Sequence, residues 1–306
     1  MLAIIIPFYK LTFFEATLQS LASQTDKRFR VYIGDDASPE DCSAVLKQFK
    51  GKFDFIYHRF ETNFGGISLT EQWERCIKLL DDEDKEWFMI LGDDDYLSEN
   101  FVLNFYENYS LFQGNCNVVR YATTIIHEIN GVESELFTNP MFESGVQYIS
   151  RKITGKARGS LSEFVFNRKE FLKYKFTNYP SAFYSDDKIV LDLSSKKNIY
   201  SINDAIVYVR ISSESLSGKA EVVNTKLFLA RFNFFEFLIK KKYYLFDTYT
   251  KKVIISRLLS YTNANKKKNV FLFLNLYFKS FFLLDFKFFL KINKKFIRII
   301  LGKPID

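Results

Sequence analysis

The stretch Trp87-Phe88-Met89-Ile90-Leu91-Gly92-Asp93-Asp94-Asp95 decides the fold that we predict for this chain. Five apolar residues in a row are typical of a strand that is buried on both faces of a parallel sheet. A glycine ends the run, and three carboxylates follow it. Ligands of open parallel sheets bind beyond the carboxyl ends of the strands, so the acidic trio is a candidate binding site.

Three apolar runs precede this strand, and segments with helical spacing separate them. We predict strands at residues 2–7, 29–34 and 53–57, each followed by a helix. One strand and one helix in every unit of roughly 25–30 residues indicate a parallel sheet that is covered on both faces. The predicted fold is therefore α/β and Rossmann-like, with a mostly parallel central sheet flanked by helices. Further strands are expected at 118–126, 161–167 and 206–211.

Charge divides the 306 residues unevenly around a net charge of +7. Residues 219–306 hold 19 Lys and Arg against 5 Asp and Glu, whereas residues 1–218 hold 24 basic and 31 acidic side chains. This last part of the chain is also rich in phenylalanine and has helical spacing. We therefore predict a main domain at 1–218 and a basic, helical C-terminal region at 219–306.

The three cysteines lie far apart and form no CxxC pair: Cys42, Cys76 and Cys116. This pattern favours free thiols in a reducing compartment over a disulfide framework or a zinc site. Two histidines are too few for a multi-histidine metal site. No basic segment precedes the first apolar residues and no uncharged apolar run reaches 18 residues, so we expect neither a signal peptide nor a membrane-spanning helix.

The acidic trio has a chemical and a structural interpretation. Mutual repulsion raises the pKa values of adjacent carboxylates unless a cation relieves it, and hard oxygen ligands suit Mg²⁺ or Mn²⁺ with a diphosphate as co-ligand. The alternative is a solvated turn that caps a helix at Ser98 or Glu99. A second pair, Asp35-Asp36, follows a neighbouring predicted strand and favours the metal site. Alone, that pair is equally a turn and helix N-cap.

Two other charged features also have alternative interpretations. Asp186-Asp187 precedes an apolar run, so it is either a helix N-cap or a carboxylate pair that supplies a general base. Lys287, Lys291, Lys294 and Arg298 form a basic stripe on a helix otherwise rich in Phe, Leu and Ile. This stripe favours contact with an anionic bilayer, the alternatives being packing on the main domain or binding of nucleic acid.

Six motifs then occur in order in the first 100 residues: Ile5-Ile6-Pro7-Phe8-Tyr9, Ser20-Leu21-Ala22-Ser23-Gln24-Thr25, Asp35-Asp36-Ala37-Ser38, Asn63-Phe64-Gly65-Gly66, Gln72-Trp73-Glu74-Arg75-Cys76-Ile77 and Asp93-Asp94-Asp95-Tyr96-Leu97. Together they resemble a family 2 glycosyltransferase of the GT-A fold, of the type found in bacterial polysaccharide biosynthesis. The resemblance implies a nucleotide-sugar half at 1–115 and an acceptor half at 116–218.

The resemblance also implies roles for single residues on the donor side. Pro7 and Tyr9 would border the nucleotide, and Asp36 would lie at the uracil edge of a UDP-linked donor. Asp93 would bind the ribose. Arg210, with Ser215-Leu216-Ser217, resembles a loop that closes over the diphosphate.

By the same resemblance, Asp94 would ligate Mn²⁺ or Mg²⁺ and Asp95 would assist it. Asp187 would be the base that deprotonates the acceptor hydroxyl during an inverting transfer. Two departures from the family affect the metal: many members carry Asp at the position of Gly92, and residues 211–213 contain no histidine as a further ligand. A third departure is Lys10, which stands where asparagine is common.

The function implied is metal-dependent transfer of a sugar, favoured as a UDP-sugar, to a lipid-linked saccharide in capsule, O-antigen or exopolysaccharide synthesis. The protein is expected in the cytoplasm, peripheral on the inner face of the cell membrane, with no nucleic-acid partner. One alternative is a nucleotidyltransferase, which needs a Gly-rich basic loop after the first strand, but residues 7–12 contain one Lys and no Gly. The other is a non-catalytic, membrane-associated nucleotide-sugar-binding protein, against which Asp187 argues.

Overall fold

The computed structural model describes residues 2–80, 86–128, 130–213, 220–264 and 270–300. The strands are β1 Leu2–Phe8, β2 Phe29–Asp35, β3 Phe55–Arg59, β4 Trp87–Ile90, β5 Tyr96–Leu97, β6 Cys116–His127, β7 Val132–Glu133, β8 Phe142–Ser144, β9 Phe164–Asn167 and β10 Asn198–Ile211. The helices are α1 Phe14–Ala22, α2 Ser43–Phe49, α3 Leu69–Ile77, α4 Phe101–Glu107, α5 Tyr109–Phe112, α6 Gly145–Ile153, α7 Arg168–Tyr174, α8 Ser185–Leu193, α9 Ala220–Phe237, α10 Thr248–Ala264, α11 Val270–Phe281 and α12 Phe286–Ile300.

The strands form one mixed sheet in the order β3-β2-β1-β4-β9-β6-β10-β5. Parallel pairs join β1 to both β2 and β4, β2 to β3, and β6 to β10. Because β9 is antiparallel to both β4 and β6, those two strands share one direction. Six strands are therefore parallel to one another, and the predicted α/β fold with a mostly parallel, helix-flanked sheet is confirmed.

The alternation of side chains along β1 explains why helices cover both faces of the sheet. Ile4 packs in a buried cluster that contains Leu18 of α1. Ile5 points to the other face and packs in a cluster that contains Ile77 of α3. Burial of one such side chain contributes about 1.5–3 kcal/mol, so a strand that is apolar at every position is stabilised from both sides.

Strand β10 is longer than the sequence pattern predicts. The predicted strand covers 206–211, whereas β10 begins at Asn198. Its pairing with β6 shifts register between Ile202 and Ile206, in the manner of a β-bulge. The polar Asn203 lies in this irregular segment and its amide donates to the carbonyl of Asn139, 2.8 Å away. Because polar residues interrupt the apolar pattern before residue 206, the sequence did not indicate that the strand is continuous from Asn198.

The C-terminal helices pack against the main domain. Phe234 of α9 and Ile254 of α10 belong to the same buried cluster as Ile5 of β1. The boundary between a main domain at 1–218 and a C-terminal region at 219–306 remains a prediction. Among the described residues, none of the helices combines the length and the apolar character that crossing a membrane requires.

Candidate functional site

A cavity of about 580 Å³ lies at the carboxyl ends of the parallel strands. The loops that follow β1, β2 and β4 border it, as does the end of β10. All residues predicted to bind nucleotide or metal line this cavity: Pro7, Tyr9, Asp36, Asp93, Asp94, Asp95 and Arg210. Residues from four separate segments therefore meet at one place, where an open parallel sheet binds its ligands.

Asp93 joins the loop after β4 to the loop after β1. Its Oδ2 atom accepts hydrogen bonds from the backbone N–H groups of Tyr9, at 2.8 Å, and Lys10, at 2.9 Å. Burial, and then the neighbouring charge of Asp94, raise the pKa of Asp93 to about 6. The carboxylate predicted to bind ribose thus also holds the first loop of the cavity.

Asp95 is held from two directions. The Ser162 hydroxyl donates to its Oδ2 and the backbone N–H of Arg210 donates to its Oδ1, at 2.9 Å. The same hydroxyl accepts a hydrogen bond from the backbone N–H of Gly92, at 3.1 Å. Burial and the charge of Asp94 raise the pKa of Asp95 to about 7. Sequence reasoning missed Ser162, because no motif marks a serine 67 positions from its partner.

Glycine at position 92 allows the carboxylates of Asp94 and Asp95 to converge. A Cβ atom there would lie 2.8 Å from Asp94 Oδ1 and 3.1 Å from Asp95 Oδ2. The departure of this chain from the family at position 92 therefore has a local physical reason. Burial also raises the pKa of Asp94, so a nearby cation would stabilise its ionised form.

These carboxylates fit a divalent cation that is only partly coordinated by protein. In the described ranges, no group of three or more His, Cys, Asp or Glu side chains is arranged to enclose a metal. Mg²⁺ and Mn²⁺ bind through one or two carboxylates and complete their coordination with phosphate oxygens and water. Asp94, which lines the cavity, and Asp95 beside it would supply the protein ligands.

Asp36 organises the loop that follows β3. Its carboxylate accepts hydrogen bonds from the backbone N–H groups of Phe64, at 2.7 Å, and Gly65, at 2.8 Å, and from the Arg75 guanidinium. A Cβ atom at Gly65 would lie 2.5 Å from Asp36 Oδ2, so this approach requires glycine. The Arg75 guanidinium in turn lies 3.9 Å from the centroid of the Phe60 ring. Asp36 lines the cavity, and the Arg75 guanidinium, which is not part of the lining, holds the Asp36 carboxylate in place.

Arg210 supports the acidic loop and is already neutralised. Its Nε atom donates to the backbone carbonyl of Asp94, at 2.9 Å, and its guanidinium forms an ion pair with Glu128. The guanidinium also lies 4.2 Å from the centroid of the Phe13 ring. The rest of the predicted diphosphate loop, Ser215-Leu216-Ser217, lies outside the described residues.

Neither Asp187 nor its neighbour Asp186 belongs to the lining of the cavity. The Oδ1 atom of Asp187 accepts hydrogen bonds from the Tyr148 hydroxyl, at 2.7 Å, and from Lys152 Nζ, at 2.6 Å. Lys152 Nζ also lies 3.4 Å from the carbonyl oxygen of Gly159, directly before the cavity-lining residues 160–162. The side chain of Asp187 is 2% exposed, so this carboxylate is buried and forms an ion pair with Lys152.

Asp186, the neighbour of Asp187, is partly exposed. Burial, and then the charge of Asp187, raise the pKa of Asp186 to about 7. A carboxyl group with this pKa can accept a proton near neutral pH. Both residues lie in the first turn of α8, where the helix dipole stabilises a negative charge.

The turn before α8 holds an unusual backbone conformation. Ser181, Ala182 and Tyr184 have φ angles of 51°, 56° and 67°, in the left-handed region that non-glycine residues rarely adopt. Such conformations cost on the order of 1–3 kcal/mol each and cluster at functional sites. Ser181 lines the cavity. This turn therefore links the cavity to the Asp186-Asp187 pair.

The sequence profile of the family described as Glycosyl transferase family 2 matches residues 3–163. A comparison of the sequence with curated proteins gave no significant match.

Solved structures of glycosyltransferases share the fold of this chain. S. aureus TarS 1–349 in complex with UDP-GlcNAc has a TM-score of 0.67 at 13% identity, over 98% of this chain and 88% of that chain. The longer S. aureus TarS structure has a TM-score of 0.59 at 14% identity, over 97% of this chain and 53% of that one. The mannosyltransferase PcManGT from Pyrobaculum calidifontis, in complex with GDP-Man and Mn²⁺, has a TM-score of 0.55 at 9% identity, over 98% and 85%. At these identities the structures show the fold, which is GT-A-like.

Proposed function

This chain belongs to glycosyl transferase family 2 and is a glycosyltransferase, and we propose that it transfers the sugar of a UDP-sugar to a saccharide acceptor, with Mn²⁺ or Mg²⁺ bound and with inversion at the anomeric carbon. The observation that carries this proposal is the single cavity shared by Asp36 and the acidic trio. TarS, one of the structurally similar proteins, has been solved with UDP-GlcNAc. This supports a uridine donor.

The Asp36 carboxylate matches the N3–H donor at the edge of uracil. Uracil presents this N3–H between two carbonyl acceptors, so the Asp36 carboxylate, which lines the cavity, can accept from it while Arg75 holds the carboxylate in place. An ionised carboxylate has about four acceptor positions, and three donors already bind Asp36, which leaves one position for the base. Cytosine presents an unprotonated N3 at the same edge, which a carboxylate repels.

The acidic trio would bind the metal and the diphosphate together. A divalent cation held at Asp94 and Asp95 would neutralise the charge that develops on the leaving UDP. Asp93 and Asp95 hold the surrounding loops through backbone hydrogen bonds, so that the ligand geometry is preset. Their raised pKa values mean that protons compete with the cation at these carboxylates.

For the base, the contacts of the carboxylate pair favour Asp186 over the predicted Asp187. Asp187 is bound by Lys152 and Tyr148, and removing it from the ion pair would leave a buried charge uncompensated. We therefore propose that Asp186 is the base that takes the proton of the acceptor hydroxyl. Asp187 would position Asp186 and raise the pKa of Asp186. One acceptor-side carboxylate suffices for an inverting transfer, because the leaving group needs a cation rather than an acid.

The acceptor is proposed to be a lipid-linked saccharide at an anionic membrane surface, of the kind used in capsule, O-antigen or exopolysaccharide synthesis. The junction of α11 and α12, which we call the elbow, exposes apolar side chains to between 53% and 91%: Phe278, Phe281, Phe282, Leu284 and Phe286. A patch of this kind marks an interaction site.

The predicted basic stripe borders the elbow. Lys287, Lys291 and Lys294 are exposed on α12, whereas Ile292 on the other side of the helix is buried. The helix therefore both packs on the protein and presents cations beside aromatic rings, the combination that binds an anionic lipid surface. This supports a peripheral position on the membrane.

Binding of nucleotides tests the donor proposal. We expect UDP to bind in the presence of Mn²⁺ and to raise the free energy of unfolding by about 2.7 kcal/mol at a hundredfold excess over Kd, with GDP, CMP and dTDP weaker. Asp94→Asn should lose the Mn²⁺ dependence, whereas Glu107→Gln, an exposed acid on α4, should keep it. Calorimetric titration that showed equal UDP affinity with and without Mn²⁺ would defeat the metal assignment.

Sedimentation with vesicles tests the membrane proposal. The protein should sediment with vesicles of phosphatidylcholine and phosphatidylglycerol but much less with phosphatidylcholine alone. Phe281→Ser with Phe282→Ser should abolish sedimentation, and Leu172→Ser with Tyr174→Ser, a matched exposed pair at α7, should not. Equal sedimentation of the two double variants would refute the elbow as the contact.

A further inference from the structure

A basic side chain from the C-terminal region lines the same cavity as the acidic trio. Lys226 lies on α9, and the cavity brings it together with Asp94 and Ser181. The motifs of the first 100 residues do not reach this helix. The C-terminal region therefore places a cation at the cavity, a role that its sequence pattern did not indicate.

The other basic residues that line the cavity are already engaged. Arg210 forms an ion pair with Glu128 and stacks on Phe13. Lys10 interacts with other groups of the described structure. Lys226, in contrast, is exposed and has no ion pair or hydrogen bond with any described residue. Its charge is therefore available to a ligand.

Helix α9 holds Lys226 in a defined position. Lys226, Ala230 and Phe234 follow one another at intervals of four residues and share one face of the helix. Ala230 and Phe234 are fully buried, and the Phe234 ring stacks on Tyr184 with 5.0 Å between the ring centroids. The same helix packs against the turn Pro180–Ala182. The helix that carries Lys226 thus packs against the strained turn that precedes Asp186.

We infer that Lys226 binds the diphosphate of the nucleotide-sugar donor and stabilises it as the leaving group. This inference rests on the proposed function and adds a residue to it. When the bond between the anomeric carbon and the diphosphate oxygen breaks, its electron pair stays on that oxygen, and the ammonium group offsets the added charge. Lysine suits this task because its ammonium group is a compact point charge on a flexible stem.

Affinities for UDP and for uridine separate this role from a structural one. Because a hydrogen bond to a charged group is lost, Lys226→Ala should bind UDP about 10- to 100-fold more weakly in the presence of Mn²⁺ and bind uridine unchanged. Lys226→Arg should restore most of the UDP affinity, and turnover should follow the same order. The matched control is Lys241→Ala, which removes an exposed cation elsewhere in the C-terminal region.

Two negative outcomes have different meanings. Equal UDP affinity of wild type and Lys226→Ala overturns the role of Lys226 and leaves the proposed function standing. An equal loss of UDP and uridine affinity in Lys226→Ala also overturns it, because the lysine would then act on the shape of the cavity. Failure of the wild-type protein to bind UDP overturns the proposed function and this inference together.

Discussion

At the scale of single residues, the environment of each aspartate determines what it can do. Asp93 and Asp95 accept backbone hydrogen bonds and hold loops in place. Asp187 forms an ion pair with Lys152. Asp186 is a partly exposed carboxyl group with a raised pKa. The chemical type is the same throughout. Burial, partners and exposure separate the roles.

The two members of the carboxylate pair should respond differently to the same substitution. Asp186→Asn should lower kcat by on the order of 10²–10⁴-fold with UDP affinity unchanged, because only the proton acceptor is lost. Asp187→Asn should lower the free energy of unfolding by about 1.5–3 kcal/mol, because the partly buried Lys152 ammonium loses its charged hydrogen-bond partner. Steady-state kinetics and denaturant unfolding measure both. The assignment fails if Asp187→Asn keeps its stability and loses turnover.

The pH dependence of kcat should reflect Asp186. A base must be deprotonated to act, so kcat should rise with pH through about 7 and then level off. Burial still raises the pKa of Asp186 in Asp187→Asn, but the added repulsion by Asp187 is gone, so this limb should move to lower pH. The profile is measured at saturating donor and Mn²⁺. An unmoved limb would show that Asp187 does not tune the base.

The convergence of the predicted donor-side residues in one cavity could be predicted from the sequence, because these residues directly follow strands. Asp36 and Asp93 are placed by β2 and β4 alone, and the carboxyl ends of neighbouring parallel strands must meet. Ser162 and Lys226 could not be predicted in this way. They reach the cavity through the packing of distant segments, which no local pattern encodes. The choice between Asp186 and Asp187 likewise depends on where Lys152 lies.

At the scale of elements, the turn before α8 stores strain that packing against α9 maintains. Tyr184 stacks on Phe234, and Ser181 keeps a left-handed backbone at the cavity. Lys175, at the end of α7, has a similar φ angle of 56° but lies exposed outside the cavity. Ser181 and Lys175 both have a strained, positive φ angle, but only Ser181 lines the cavity.

Glycine should relieve the strain at both positions and affect activity at only one. Ser181→Gly and Lys175→Gly should each raise the free energy of unfolding by about 1 kcal/mol, because glycine adopts positive φ without a Cβ clash. Ser181→Gly should also lower kcat, since the turn that presents Asp186 becomes more mobile. Denaturant unfolding and kinetics measure the two effects. Equal kcat for both variants would separate the turn from catalysis.

At the scale of the whole molecule, the C-terminal helices complete the main core. Phe234, Ile254 and Leu258 lie in one buried cluster with Ile5 of the central sheet. The sequence predicted these helices from their spacing and charge. Their packing could not be predicted, because phenylalanine occurs both in the buried cluster and at the exposed elbow.

The shared core predicts a single unfolding transition for the full chain. Because the buried cluster crosses residue 218, loss of the C-terminal helices should expose the apolar residues of the cluster that belong to the main domain. Differential scanning calorimetry should therefore give one peak whose calorimetric and van't Hoff enthalpies agree. Two resolved peaks would support independent domains at 1–218 and 219–306 instead.

The position of a bound Mn²⁺ tests the central claim most directly. Crystals of the protein grown with UDP and Mn²⁺, measured at a wavelength where manganese scatters anomalously, locate the metal without reference to any assumed site. We predict one anomalous peak in the cavity, bound by Asp94 and by the diphosphate of a UDP whose base lies at Asp36. A manganese peak away from the acidic trio, or UDP bound outside this cavity, would contradict the account.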